Sequence, residues 1–431
     1  MRNFVYFISD YTYQNQKNMW KKPWGYKEGL AVCAGLFLIG LMLQSTIGKI
    51  NLDVIAYPVN VFVMILFLAV LLIMHLSSKT IYFFRWLSTY QAAVTSMVAM
   101  VVIIVVMGLT RQLRPDVEVS GIMSRLGFSQ MLSAWSFVLL FTWFIVVLGM
   151  VILRRLSRFK LKDIPFILNH VGLFVALLGG ILGSADLQRL ELTASIGKPE
   201  WRVFDRARNL KDLDLAIELN SFTIDEYPPK LMLVDNETGK VLPEGKPINI
   251  LLEDEVTNGD LLDWHITIEQ RIENAARVAT EDTVKYVEFH SMGATYAVYV
   301  KAYNQKTQQE SEGWVSCGSF IFPYKAIRLG DDVSLIMPDR EPRRYASDVT
   351  IYTESQKEIN AVIEVNKPLK VEGWKIYQLS YDESKGKWST SSVFELVRDP
   401  WIVVVYIGIW MMIAGAVCMF VFAPKHKEDK E

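Results

Sequence analysis

The chain has 431 residues, 51% of them hydrophobic and 21% charged, and 45 basic against 46 acidic side chains leave a formal net charge of −1. So much apolar surface excludes a disordered chain. Three cysteines (Cys33, Cys317 and Cys418) without a CxxC pair exclude a disulfide scaffold, and the near-neutral charge argues against nucleic acid as a partner.

Six stretches lack Asp, Glu, Lys and Arg for the ~20 residues that a helix needs to cross a bilayer. They are 29–48, 54–78, 86–110, 126–153, 164–185 and 400–424. Between 185 and 400 the charge-free runs reach only about a dozen residues, too few for a spanning helix. The expected fold is therefore a polytopic α-helical membrane protein with six transmembrane helices and a large, mainly-β extracytoplasmic domain between helices five and six. In chain order this gives a cytoplasmic segment at 1–28, a five-helix membrane domain at 29–185, the β-rich domain at 186–399, a sixth helix at 400–424 and a cytoplasmic tail at 425–431.

The first run lies behind 28 mixed residues and lacks a small-residue cleavage site, so it reads as a membrane helix rather than a removable signal peptide. Basic residues set the orientation. Lys17, Lys21, Lys22 and Lys27 precede helix one, Arg154, Arg155, Arg158, Lys160 and Lys162 join helices four and five, and Lys425, Lys427 and Lys430 follow helix six. All fall on the cytoplasmic side if both termini do. Only the connection 111–125, with three Arg, is discordant. Residues 185–400 hold 26 basic and 37 acidic side chains, a net −11, while the remainder is +10. Its basic loops would face anionic membrane lipid, although each compartment selecting its own surface charge explains the split equally well.

The region 186–399 carries short runs with period-two alternation: Leu213–Ile224, Leu261–Ile272, Val284–His290, Tyr296–Tyr303, Val349–Thr353, Ala361–Val365 and Trp374–Ser380. Turn-forming residues at 227–229, 236–239, 258–260 and 330–332 separate them, a pattern of antiparallel sandwich or open barrel. The polar stretch 304–313 reads as an exposed loop.

No nucleotide-binding, zinc-protease or serine-hydrolase motif is present, and neither is the haem-attachment sequence CxxCH. The three cysteines read as inert thiols. His170 is the informative residue. It lies seven positions past Asp163, about 10 Å into the bilayer at ~1.5 Å per residue, where an ionisable group is a functional candidate by default. Gly172, Ala176, Gly179 and Gly183 form a narrow small-residue stripe suited to close helix packing. His170 projects from the other side with Phe166, Phe174, Leu177 and Ile181. If the stripe packs within the chain, the histidine face meets lipid or a partner, and an aromatic-lined cleft with an axial imidazole suits a metalloporphyrin. The competing reading is a histidine hydrogen-bonded to a neighbouring helix. His75 reads as an interfacial residue, while His265, His290 and His426 read as surface residues.

Several stretches in this order resemble the ResB/CcsB family of cytochrome c biogenesis proteins. They are Asn169-His170-Val-Gly-Leu-Phe-Val-Ala-Leu-Leu-Gly179-Gly180, Arg189-Leu-Glu191-Leu, Ile196-Gly197 and Tyr345-Ala-Ser347-Asp-Val349. Val365-Asn366-Lys-Pro368-Leu369, Gly373-Trp-Lys-Ile376-Tyr377-Gln378, Asp399-Pro400 and Tyr406-Ile-Gly408 follow. The resemblance spans about 260 residues, from helix five through helix six, and is weaker in helix one. It implies a System II membrane subunit in the bacterial inner membrane. With a CcsA-type partner, such a subunit moves haem b across the membrane and presents it to apocytochrome c. The family's membrane histidine carries over to His170 as one axial haem ligand, the partner supplying the other. The chain has twelve Trp but no WGxxWxWD-like cluster. It would therefore be a subunit of a haem lyase (holocytochrome c synthase) complex rather than a stand-alone enzyme. The alternative is a non-catalytic scaffold whose outer domain binds apocytochrome or another client. Family members usually have three helices before the outer domain, whereas this chain has five.

Overall fold

The computed structural model describes residues 20–113, 117, 121–279 and 283–421. The expected cytoplasmic segment up to residue 19, Arg114 in the 111–125 connection, and the tail with His426 lie outside the described residues. The chain divides into two units, one of residues up to 188 together with those from 398 onward, the other of residues 189–397.

Among the described residues of the first unit, six helices are long and apolar enough to cross a membrane. They are Tyr26–Ile47, Val59–Ser77, Tyr90–Leu109, Trp135–Leu156, Ile164–Gly183 and Ile402–Val421, here called spans one to six. The protein is thus a multi-pass membrane protein. A charge-free run and a helix do not coincide, however. The run at 86–110 is interrupted: a short helix, Tyr82–Leu87, ends at Ser88, and the Thr89 hydroxyl then accepts from the Ala92 amide to cap span three. The run at 126–153 begins with turns, including a 3-10 turn at Met131–Ser133, and helix starts only at Trp135. That helix continues past the end of the run because its two arginines find partners. Arg154 donates to the Ser88 carbonyl at 3.0 Å, and Arg155 pairs with Asp163 at 2.5 Å.

Spans five and six pack backbone to backbone. A Cβ on Gly408 would lie 2.6 Å from both the Gly172 carbonyl oxygen and the Ala176 nitrogen. One on Gly179 would meet Val404, and one on Gly415 the Asn169 backbone. The small-residue stripe is therefore an interface within the chain, where small residues let helices approach closely. One end of this pair is fastened by Asp186, whose carboxylate accepts from the Tyr57 amide, the Asn60 side-chain amide and the Trp401 indole, each at 2.7 Å. Asn60 is fully buried and also donates to the Leu182 carbonyl at 3.0 Å.

The described residues of the second unit form three antiparallel sheets. The largest has eight strands in the order Glu358–Glu364, Pro342–Thr353, Leu210–Glu226, Glu200–Phe204, Gln188–Ser195, Ser391–Arg398, Trp374–Tyr381 and Leu369–Val371. Alternation sends Leu190, Leu192 and Ala194 of one strand, and Phe394 and Leu396 of its neighbour, into a single core. A second core joins Leu231 and Leu233 to Trp264, Ile266, Val298, Val300 and Val315 from the two smaller sheets. At ~25 cal/mol per Å² of apolar area, such fully buried aliphatic side chains each contribute roughly 1.5–3 kcal/mol relative to exposure.

Two expectations change. The 304–313 loop is confined to 305–309, because Glu310–Ser316 is a strand paired with Thr295–Asn304, with Glu312 opposite Lys301. Its polar residues mark a strand with one exposed face. The run Leu261–Ile272 is broken by a hairpin turn at Leu262-Asp263, Leu262 having φ 54°, between the strands Asn258–Leu261 and Trp264–Ala279.

Candidate functional site

His170 sits in the second turn of span five, half-buried. Span five starts cleanly. Pro165 occupies its first turn, where a missing N–H costs nothing. Asp163, only 2% exposed, accepts from the Lys160 amide and from Arg155. The Arg155 guanidinium lies 5.3 Å over the Phe166 ring, and the other neighbour of that ring is the His170 imidazole, stacked at 3.8 Å and 21°. The His170 Nδ1 is 2.8 Å from the Phe166 carbonyl oxygen. A carbonyl only accepts, so Nδ1 is the donor, and of the two neutral tautomers this bond selects the one whose lone pair lies on Nε2. No hydrogen bond to Nε2 occurs among the described residues. An imidazole oriented through Nδ1–H to a backbone carbonyl, with Nε2 open, is the arrangement by which proteins set a histidine for metal ligation. The donor set fits one axial position of a haem iron.

The reading of a histidine bonded to a neighbouring helix is overturned, since its partner is one turn back in the same helix. The outward-facing aromatic side is also corrected in part. Phe174 stacks on Phe67 of span two at 6.5 Å and packs against Gly149 of span four, so that end of the face is internal.

His75, half-buried in the last turn of span two, forms no side-chain hydrogen bond or ion pair with His170 among the described residues. In the second unit His265 pairs with Asp260 at 2.7 Å and the exposed His290 approaches Glu288 at 3.8 Å. Cys33 is buried, its thiol 3.8 Å from the Thr95 carbonyl, as expected of an inert thiol. Sequence reasoning missed Asp186. Its signal was an acid at the edge of a charge-free run, but the Tyr57, Asn60 and Trp401 donors come together only in three dimensions.

The motif residues of the second unit shape the fold. Asn366 and Gly373 take φ 65° and 85° in turns, a conformation that Asn and Gly adopt at least cost. Ser347 donates to the Gln378 side-chain oxygen at 2.6 Å and lies 2.8 Å from Ser392, a buried polar link across the large sheet.

These features define a class: a polytopic membrane protein carrying a large β-sheet domain between its fifth and sixth spans. The family model described as the ResB-like family matches residues 160–392, more than half of the chain, and the chain belongs to that family. At the level of the family this places it in cytochrome c biogenesis. No curated protein matches it.

Proposed function

We propose that this chain is a System II subunit that works with a CcsA-type membrane partner to move haem across the bacterial inner membrane and present it to the CxxCH of apocytochrome c. The observation that carries this reading is His170, with Nδ1–H directed at the Phe166 carbonyl and Nε2 without a hydrogen-bond partner among the described residues, in a half-buried membrane face. Haem is the substrate. Nε2 would take one axial position and the partner the other, and the surrounding aromatic and aliphatic side chains would shield the macrocycle from lipid and water. The positive-inside distribution of Arg and Lys supports cytoplasmic termini and an extracytoplasmic β domain. The bond-making thioether chemistry would then belong to the complex as a haem lyase, not to this chain alone.

The test compares wild type with His170→Ala, co-purified with the partner. The expected result is loss of most bound haem and a corresponding loss of cytochrome c maturation. Unchanged haem content with unchanged maturation rejects the role. Lost maturation on removing the outer domain, with a silent His170→Ala, favours the scaffold reading instead.

A further inference from the structure

The chain enters the large sheet almost as soon as it leaves span five. That span ends at Gly183, Ser184–Asp186 is a single 3-10 turn, and the strand Gln188–Ser195 begins two residues later. Its neighbours in the sheet are Ser391–Arg398, which runs into span six at Ile402, and Glu200–Phe204. Glu200–Phe204 is antiparallel to Gln188–Ser195, with Phe204 opposite Glu191, so the turn at 205–209 comes at the Gln188 end. At ~2 Å per residue for the 3-10 turn, ~3.5 Å per residue of extended chain and ~4.8 Å between strands, covalent reach alone keeps the 205–209 turn within roughly 20 Å of the end of span five.

Three observations mark this hairpin. First, it exposes apolar side chains that the sheet does not use. Val203 is fully buried in the core, whereas Phe204 and Leu210, opposite each other across the two strands and on the other face, are 41% and 58% exposed. Trp201 is 48% exposed. Second, the hairpin is basic in an acidic setting. Residues 201–211 hold four basic side chains and one acidic, against a net −11 for 185–400. Arg202 pairs with Glu200 at 2.8 Å and Lys211 with Asp205 at 3.2 Å. Arg206 and Arg208 are exposed, and neither has a side-chain hydrogen bond or ion pair among the described residues. Third, the turn is fixed without them. The Asp205 carboxylate accepts from the Asn209 backbone amide at 2.9 Å and from its side-chain amide at 3.1 Å. Arg208 takes φ 65°, where Gly or Asn costs less, so the fold itself does not call for arginine there.

We propose that this hairpin anchors the β-sheet unit to anionic phospholipid in the leaflet where span five ends. Trp201, Phe204 and Leu210 enter the interfacial layer, in which tryptophan is favoured. The Arg206 and Arg208 guanidiniums bond lipid phosphates, whose oxygens match their planar forks of donors, and each adds to the attraction of the anionic surface. A protein surface could cover the same groups, but the short covalent path from the span favours lipid. The hairpin thereby adds a third, salt-sensitive tether to the two covalent ones, and the inference does not depend on haem being the substrate.

Hydrogen exchange of the full-length chain in lipid nanodiscs tests this, with phosphatidylcholine alone compared with a mixture rich in phosphatidylglycerol. The amides of 204–210 are expected to exchange several-fold more slowly in the anionic discs at low salt, and to lose that protection at high salt, which screens exposed charges. Those of the exposed turn 236–239 should be the same in both lipids. Arg206→Gln/Arg208→Gln should abolish the difference, and Phe204→Ser/Leu210→Ser should reduce it. All four side chains are exposed, and unchanged exchange in the core strand Pro342–Thr353 reports that each variant is folded. Equal exchange of 204–210 in the two lipids overturns the proposal without need of any variant. A difference that survives in Arg206→Gln/Arg208→Gln overturns it as well. Protection that is the same in both lipids and appears only with a co-purified membrane protein gives the hairpin to a protein contact and rejects lipid.

Discussion

Phe166 does two things to His170: its carbonyl fixes the tautomer, and its ring fixes the imidazole plane. The two functions separate by mutation, because a backbone carbonyl survives any side-chain change. Phe166→Leu is therefore expected to leave Nε2 available while freeing the ring to rotate. Haem affinity should fall by roughly 10-fold, within the range for lost orienting partners, and by less than in His170→Ala. Titration of the two variants side by side checks the order. Equal losses would mean that the stack matters as much as the ligand itself. Arg155 extends the arrangement, since it pairs with Asp163 and lies over the Phe166 ring. The residue type at 170 was readable because an ionisable group among apolar neighbours stands out. Its hydrogen-bond partner was not, since i−4 carbonyls are normally consumed by the helix itself.

Among the elements, spans five and six depend on glycine where backbone meets backbone. A side chain at 408 has no space, because Gly172 and Ala176 already occupy it. Gly408→Val is expected to destabilise the pair by about 1–3 kcal/mol, the usual range for overpacking, seen as a lower unfolding midpoint in detergent. Gly180→Val is the control, since a Cβ there meets nothing within 4 Å. A similar drop in both would place the effect in helix propensity rather than in packing. The stripe at 172, 176, 179 and 183 was legible from spacing alone. The strand Glu310–Ser316 was not, because its polar residues mark solvent on one face, and only its pairing with Thr295–Asn304 distinguishes strand from loop.

For the whole molecule, the surface ion pairs of the β-sheet unit make its stability depend on pH. Arg344, with help from Lys367, holds Glu364 at about 2 against an ordinary value of 4.5. Arg344 bonds Glu364 at 2.6 Å and Asp225 at 3.2 Å, and so ties three neighbouring strands. A carboxylate whose folded pKa is depressed contributes stability that is present above its unfolded value and lost as pH falls through its folded one. The unfolding midpoint of the full chain should thus decline between pH 4.5 and pH 2, and Glu364→Gln should flatten that decline. Parallel curves for the two proteins would show that the pair contributes nothing to folding.

The sequence alone determined the six apolar helices, the β-rich region between the last two, and the histidine worth asking about. Each of these is written in local composition, as hydrocarbon excludes charge and a pleated strand alternates its faces. Only the tertiary structure decided that spans five and six are partners and that Asp186 gathers donors from Tyr57, Asn60 and Trp401. It also brought Cys317, Tyr381 and Trp388 to one cavity. Residues so far apart in the chain meet only once the intervening loops are closed. No local pattern records which closures bury the most surface while leaving the fewest polar groups without a partner.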